Sequence, residues 1–172
     1  MMKISHRVIT VSATFLSGAG WPVVVGSLIG STLPDIDLTV GIPHRTMTHW
    51  FPLPLSICAA SLILPSASGD PHRIFNDILL GIGIGAILHI VEDSLTQGGV
   101  PLATPMGKRF SFRLTKTGGQ LERIIVLVLI PLTMIKALTL PPVMGSIAEI
   151  FPHAGAVLGR MASALPLLRG GA

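Results

Sequence analysis

The chain has 172 residues, enough for one domain, of which 49% are hydrophobic and only 12% charged, with a mean hydropathy of +0.73. Soluble domains carry roughly 25% charged residues, so a chain this apolar cannot cover a normal solvated surface and reads as an integral membrane protein. The net charge of +4 is too small to argue for a nucleic-acid partner, and basic residues beside apolar helices suit anionic lipid headgroups instead.

From Val8 to Pro34 there is no charged residue. The start superficially resembles a signal peptide, with small residues Ser17 to Gly20 where a cleavage site could fall. The expectation is that it is kept, because His6 and the helix after it are needed to make sense of the polar clusters further along the chain. Gly18, Ala19, Gly20, Trp21 and Pro22 combine turn residues with a proline suited to a first helical position. They predict a helical hairpin of about Ser5–Ser17 and about Pro22–Leu33. Each arm is roughly 18 Å long at 1.5 Å per residue, too short for a hydrocarbon core of about 30 Å, so the pair reads as partly inserted.

A loop from Asp35 to Pro43 is expected next, followed by a third helix from near His44–Thr48 to about Leu64 and a turn over Pro65–Pro71. The fourth helix is predicted over about Arg73–Leu95. Its small residues Gly81, Gly83, Gly85 and Ala86 would let another helix approach closely. A long polar loop spans about Thr96–Gly119. The fifth helix runs from Gln120 or Leu121 to near Leu138, Pro141 and Pro142 break it, and a weaker helix lies within Met144–Leu165. The expected fold is all-α: a polytopic membrane helical bundle with a short N-terminal hairpin and about six helices. It would form a single membrane-embedded domain over residues 1–172, with the site motifs within 5–123. If each helix reverses direction, Lys3, Arg7, Arg45, Lys108, Arg109, Arg113, Lys116, Arg123 and Arg169 fall on one side, against Arg73 and Lys136 on the other. That bias predicts a multi-pass inner-membrane protein with this side in the cytoplasm.

The chemistry-bearing residues cluster on that side. His6, Asp35, Asp37, His44, His49, His89, Glu92, Asp93 and Glu122 include five of the eight acidic residues and four of the six histidines. Ionisable groups near membrane depth are costly and mark function by default, and imidazole with carboxylate is a divalent-metal donor set. His89 and Asp93, four apart, share a helix face and could grip one ion. In an extended segment Asp35 and Asp37 would present paired carboxylates on one face, which repel unless a cation intervenes. Arg45, planar and always charged, is a natural phosphate or carboxylate clamp, and Thr48 could fix an imidazole tautomer. Glu92 could join the metal or act as a base, and Glu122 suits the positive end of the fifth helix. The bland alternatives are a histidine bonded to a neighbouring carboxylate, a solvated turn and a helix cap. Cys58, the single cysteine, excludes an internal disulfide and sits in an apolar run.

Several of these stretches together resemble the YdjM-like family of bacterial inner-membrane proteins, described as membrane-bound metal-dependent hydrolases. They are Ser5-His6; Leu33-Pro34-Asp35-Ile36-Asp37; His44-Arg45 with Thr48-His49; Leu88-His89 to Asp93; Leu95-Thr96; Gly98 to Leu102 with Pro105; and Gly119 to Arg123. The resemblance implies metal binding by His6, Asp35, Asp37, His44, His49, His89 and Asp93. It also implies a distant likeness to the helical zinc phospholipases C. Leu38, Gln97 and Glu92 depart from the usual pattern.

The first expectation is a metal-dependent hydrolase acting on a phospholipid or other phosphate ester at the cytoplasmic membrane surface. A divalent metal, zinc first and roughly one to three ions, would activate water. Asp37, Glu92 or Glu122 would serve as base, and Arg45, Lys108, Arg109 and Arg113 would hold phosphate. The alternative is a non-catalytic, metal-stabilised membrane scaffold or interaction protein. A transporter fits less well, because the polar residues gather at one end instead of crossing the midplane.

Overall fold

A computed structural model describes residues 3–41, 43–64, 71–102 and 104–140. Helix α1 (Lys3–Leu16) opens the chain and buries Ser5, His6, Thr10 and Thr14. His6, Thr10 and Thr14 recur every fourth residue, so one polar stripe runs down one face. The chain then reverses through Gly18, whose φ of 87° lies in the left-handed region that suits glycine. Pro22 occupies the first turn of α2 (Trp21–Gly30), where its missing N–H costs no helical bond. Thr14 Oγ1 and Ser27 Oγ, 2.8 Å apart, join the two arms. The early reversal read from Gly18 to Pro22 is therefore present.

Beyond α2 the structure departs from the expected loop. Residues 34–36 form a 3-10 turn and Asp37–Val40 a one-turn helix, α3, closed by Gly41 at φ 73°. Asp35 and Asp37 therefore lie on helical turns instead of an extended segment, and they meet opposite nitrogens of the His44 ring. Helix α4 (Pro52–Ile63) also starts later than expected. Its first residue is a proline, and His49 belongs to a separate 3-10 turn over Met47–His49. Helix α5 (Pro71–Ser94) and helix α6 (Gln120–Leu138) fall close to their predicted spans. The loop between them holds a two-residue antiparallel pair, β1 (Val100–Pro101) with β2 (Arg109–Phe110), in register Val100 to Phe110. No periodicity in so short a pair could have announced it. The helix expected within Met144–Leu165 and the turn over 65–70 lie outside the described residues.

Helix α5 is the central element, and glycine sets how closely its neighbours approach. A Cβ added at Gly26 would run into the carbonyl of Ile78, and one at Gly30 into that of Ile82. Gly85 meets the Ser27 carbonyl in the same way, while Gly83 faces Cys58 of α4. Backbone-to-backbone contact of this kind is how helices associate where lipid offers no hydrophobic drive.

Burial is distributed inside out. Among the described hydrophobic side chains only Ala86, Ile90 and Val100 are buried, whereas Ile63 is 81% and Leu127 69% exposed. The enclosed volume is taken up by serine, threonine, histidine and carboxylate. Two stretches, Trp21–Val40 and His72–Ser94, are long and apolar enough to cross a membrane by length and composition. The first is broken after α2, so α5, 24 residues and about 36 Å long, is the better single rod. At the far end of α1, Lys136 of α6 donates from Nζ to the carbonyls of Phe15 and Leu16, each at 2.9 Å. Those are carbonyls a helix terminus leaves without intrahelical partners.

Candidate metal centre

Four imidazoles converge from three parts of the chain: His6 from α1, His44 and His49 from the segment before α4, and His89 from the last turns of α5. Each has its Nδ1 tied to an acceptor behind it. Nδ1 of His89 lies 2.7 Å from the Ser31 carbonyl. A carbonyl only accepts, so this nitrogen carries the proton and Nε2 of the neutral ring is left with a lone pair. Nδ1 of His6 lies 2.8 Å from Glu92 Oε2, and Nδ1 of His44 lies 2.9 Å from Asp37 Oδ1. His49 uses a relay: Thr48 Oγ1 donates to Asp37 Oδ2 at 2.8 Å, and the same oxygen lies 3.0 Å from His49 Nδ1 to accept its proton. Orientation of this kind, by a carboxylate or carbonyl behind the ring, is what metal-ligating histidines show.

The four Nε2 atoms consequently face inward, toward two carboxylates. His6 Nε2 is 3.4 Å from Asp93 Oδ1, and His49 Nε2 is 3.4 Å from Asp93 Oδ2. His89 Nε2 is 3.7 Å from Asp35 Oδ1 and 3.9 Å from Asp93 Oδ2, while His44 Nε2 is 4.0 Å from Asp35 Oδ1. The buried Nε2 atoms of His49 and His89 have no hydrogen-bond partner among the described residues. A nitrogen left unprotonated, as Nε2 of His89 is, and aimed at a carboxylate oxygen is repelled by it unless a cation lies between them. Two ligands each about 2.0–2.1 Å from a tetrahedral zinc lie about 3.4 Å apart, which is the spacing around Asp93. The donor set therefore fits a divalent metal. Two groups could hold an ion: His6, His89 and Asp93, all buried, and Asp35, His44 and His49. The second is more open, with the Asp35 and His44 side chains 15% and 33% exposed.

The remaining expected residues surround this core. Asp37 is fully buried, and beyond His44 and Thr48 it accepts the Arg45 amide at 3.1 Å. Its oxygens are thus occupied by donors that orient the rings. Glu92 accepts from His6 and, at 3.3 Å, from Thr10. Arg45, held at φ 61°, an unusual conformation for a residue with a Cβ, sends Nη2 to Asp93 Oδ1 at 2.9 Å. Its Nη1 reaches Thr96 Oγ1 and the Gly99 carbonyl. Arg109 donates to the His44 carbonyl at 2.9 Å, tying the β1–β2 loop to the site. Glu122 is buried at the start of α6 and accepts the Gly118 amide at 2.8 Å, which braces the turn leading into that helix.

Two contributors escaped the sequence reading. Ser31 acts through its backbone, which no residue type announces. Thr10 stands one helical turn from His6, and that spacing was legible.

Fold and site together define a mostly helical protein with an apolar exterior and a buried histidine–aspartate constellation able to hold a metal ion. The family described as YdjM inner membrane protein matches residues 1–163, and the chain belongs to that family. It is 31% identical over 130 residues to the inner membrane protein YdjM of Escherichia coli strain K12, and equally to that of Shigella flexneri. Each match covers 65% of this chain and 65% of the relative, so the chain spans just under two thirds of the curated relatives it matches. No solved structure matches the chain.

Proposed function

We propose that this protein is a metal-dependent hydrolase of phospholipids or other phosphate esters. It would be a multi-pass protein of the inner membrane with its site facing the cytoplasm. One observation carries the reading: four imidazoles are oriented from behind so that their Nε2 atoms meet at Asp93 and Asp35, two of them with no other partner. His6, His89 and Asp93 would hold one ion, and Asp35, His44 and His49 a second, with zinc best suited to this nitrogen-rich set. When bound, such a cation polarises a phosphoryl oxygen and acidifies water.

The chain's own residues supply the rest. Asp37, Thr48, Glu92 and the Ser31 carbonyl hold the rings in their ligating tautomers, so Asp37 and Glu92 act as positioning groups. Arg45 neutralises Asp93. Asp35 accepts no hydrogen bond among the described residues and is partly open, so it is the carboxylate best placed to receive a proton from water. The positive-inside bias of the described basic residues supports the cytoplasmic orientation.

The competing scaffold reading draws on the depth of the inner group, with His6, His89 and Asp93 each at most 2% exposed. A saturated ion stabilises without catalysing, whereas a catalytic one keeps an open position. The accessible Asp35–His44 edge favours catalysis. The test is elemental analysis of detergent-purified protein and of an Asp35→Ala, His89→Ala double variant, followed by a turnover screen on phospholipids and phosphodiesters. Bound metal lost in the variant together with turnover in the parent is expected. A variant with full metal content removes the site, and a saturated, inert parent leaves the scaffold.

A further inference from the structure

Two cavities flank the segment that carries Asp35. One, about 220 Å³, is apolar and walled by Leu53, Pro54 and Ile57 of α4 with Ala86 of α5. The other, about 250 Å³, is polar and lined by Lys3 and Arg7 of α1, Thr32, Thr39 and Asp35 itself. Leu33 and Ile36 line both, so the two share a wall beside Asp35. Lys3 and Arg7 are exposed and make no ion pair among the described residues. Arg45 and Arg109 already bond Asp93 and the His44 carbonyl. Among the described residues, the cations that line the cavity beside Asp35 are therefore those of α1, which the sequence reading did not assign to phosphate.

We infer that the two cavities are head and chain subsites for one anionic amphiphile, with Lys3 and Arg7 receiving the phosphate-bearing head and the groove between Ile36 and α4 receiving the start of a hydrocarbon chain. This rests on the hydrolase reading for its chemistry, and it names the substrate class: a lipid phosphate, not a soluble phosphate ester. The charge of the polar cavity selects the head. The apolar wall selects the chain, since each buried methylene is worth about fourfold in affinity. A soluble ester fills only the first cavity and leaves the second wet. The head, held at Lys3 and Arg7, brings its ester beside Asp35, whose Oδ1 lies 3.7 Å from His89 Nε2.

The test measures binding to the full-length, zinc-loaded protein with hydrolysis-resistant probes, so that turnover plays no part. The probes are a dioctanoyl phosphonate analogue of phosphatidic acid, glycerol phosphonate without chains, and dioctanoylglycerol. The amphiphile is expected to bind at least about tenfold more tightly than either half. Lys3→Gln with Arg7→Gln should weaken it by about tenfold or more while leaving dioctanoylglycerol unaffected. Leu53→Gln, at a half-exposed position, should shrink the advantage over glycerol phosphonate while leaving the unfolding temperature near that of the parent. Equal affinity for the chainless probe, or indifference to the α1 substitutions, overturns the proposal. A separate turnover assay keeps the two readings apart. Head-and-chain binding without hydrolysis removes the hydrolase and keeps the subsites. Hydrolysis indifferent to chain length does the reverse.

Discussion

Ser31 fixes which way His89 faces: its carbonyl accepts a hydrogen bond from Nδ1 at 2.7 Å, and the opposite nitrogen is left bare beside Asp35 and Asp93. His89→Ala removes that donor and strands a buried carbonyl. The stranded group alone costs about 1–3 kcal/mol. When loaded with zinc as the proposed site requires, the variant is expected to hold roughly half as much or less, and to unfold at lower temperature even when metal-free. Elemental analysis with thermal unfolding in detergent reads both, and unchanged zinc content would take His89 out of the ligand set.

Glu92 separates a positioning role from a catalytic one. Glu92→Gln keeps an oxygen able to accept from His6 Nδ1 but loses the carboxylate charge, whereas Glu92→Ala loses the bond entirely. Partners behind a ligating histidine are worth about 10- to 100-fold in metal affinity. Glu92→Gln should therefore fall at the mild end of that range and Glu92→Ala at the severe end, as measured by competition with a chelator. Under the hydrolase reading, turnover at saturating zinc should survive Glu92→Gln. If turnover is abolished while zinc affinity is intact, Glu92 is the base after all.

Arg45 and Asp93 form a nearly buried pair, 11% and 2% exposed, and breaking such a pair by removing one partner costs about 3–5 kcal/mol. Arg45→Ala should show that cost most fully in metal-free protein, where no bound metal ion shares Asp93. Added zinc should stabilise each form that binds it, by about 4 kcal/mol at a thousandfold excess over that form's own Kd. Gly98→Ala reaches the same pair from the other side, because a Cβ at Gly98 would collide with Arg45 Nη1. Denaturant unfolding with and without chelator is the measurement. A chelator-independent loss in Arg45→Ala would mean that the arginine and the metal do not share Asp93.

How much of this was readable in the chain depends on the range of the interactions. The reversal at Gly18 to Pro22 is local turn chemistry, and the pairing of His89 with Asp93 is one helical turn; both are legible from spacing. Together they bring His6 to Asp93, 3.4 Å apart across 87 positions. The conformation of Asp35 and Asp37 was not legible, because proline at 34 disfavours helix only for the residue before it and opens a new turn at once. Chemistry alone marks Arg45 as a phosphate or carboxylate clamp, and a carboxylate is what it holds, but which one is not legible. Its partner Asp93 lies 48 positions away and is reached only because Gly98 leaves room for the guanidinium. The backbone role of Ser31 carries no residue-type signal.

Lys136 tests whether the hairpin is held from the end opposite the site. Its ammonium bonds the Phe15 and Leu16 carbonyls at 2.9 Å and sits 5.4 Å from the centre of the Phe15 ring. Lys136→Met keeps most of the apolar stem but leaves those carbonyls without their cation. Hydrogen bonds to a charged donor contribute about 1.5–3 kcal/mol, and the expected destabilisation is about 1–3 kcal/mol, because water or a neighbouring group recovers part of the loss. His6 lies in the first turn of α1, ten residues before Leu16, so zinc stoichiometry should be preserved while the unfolding temperature falls. Lys136→Arg, able to donate to the same carbonyls, should restore most of the stability. If Lys136→Met instead sheds zinc without losing stability, the cap is not a local anchor and α1 is positioned by the metal alone.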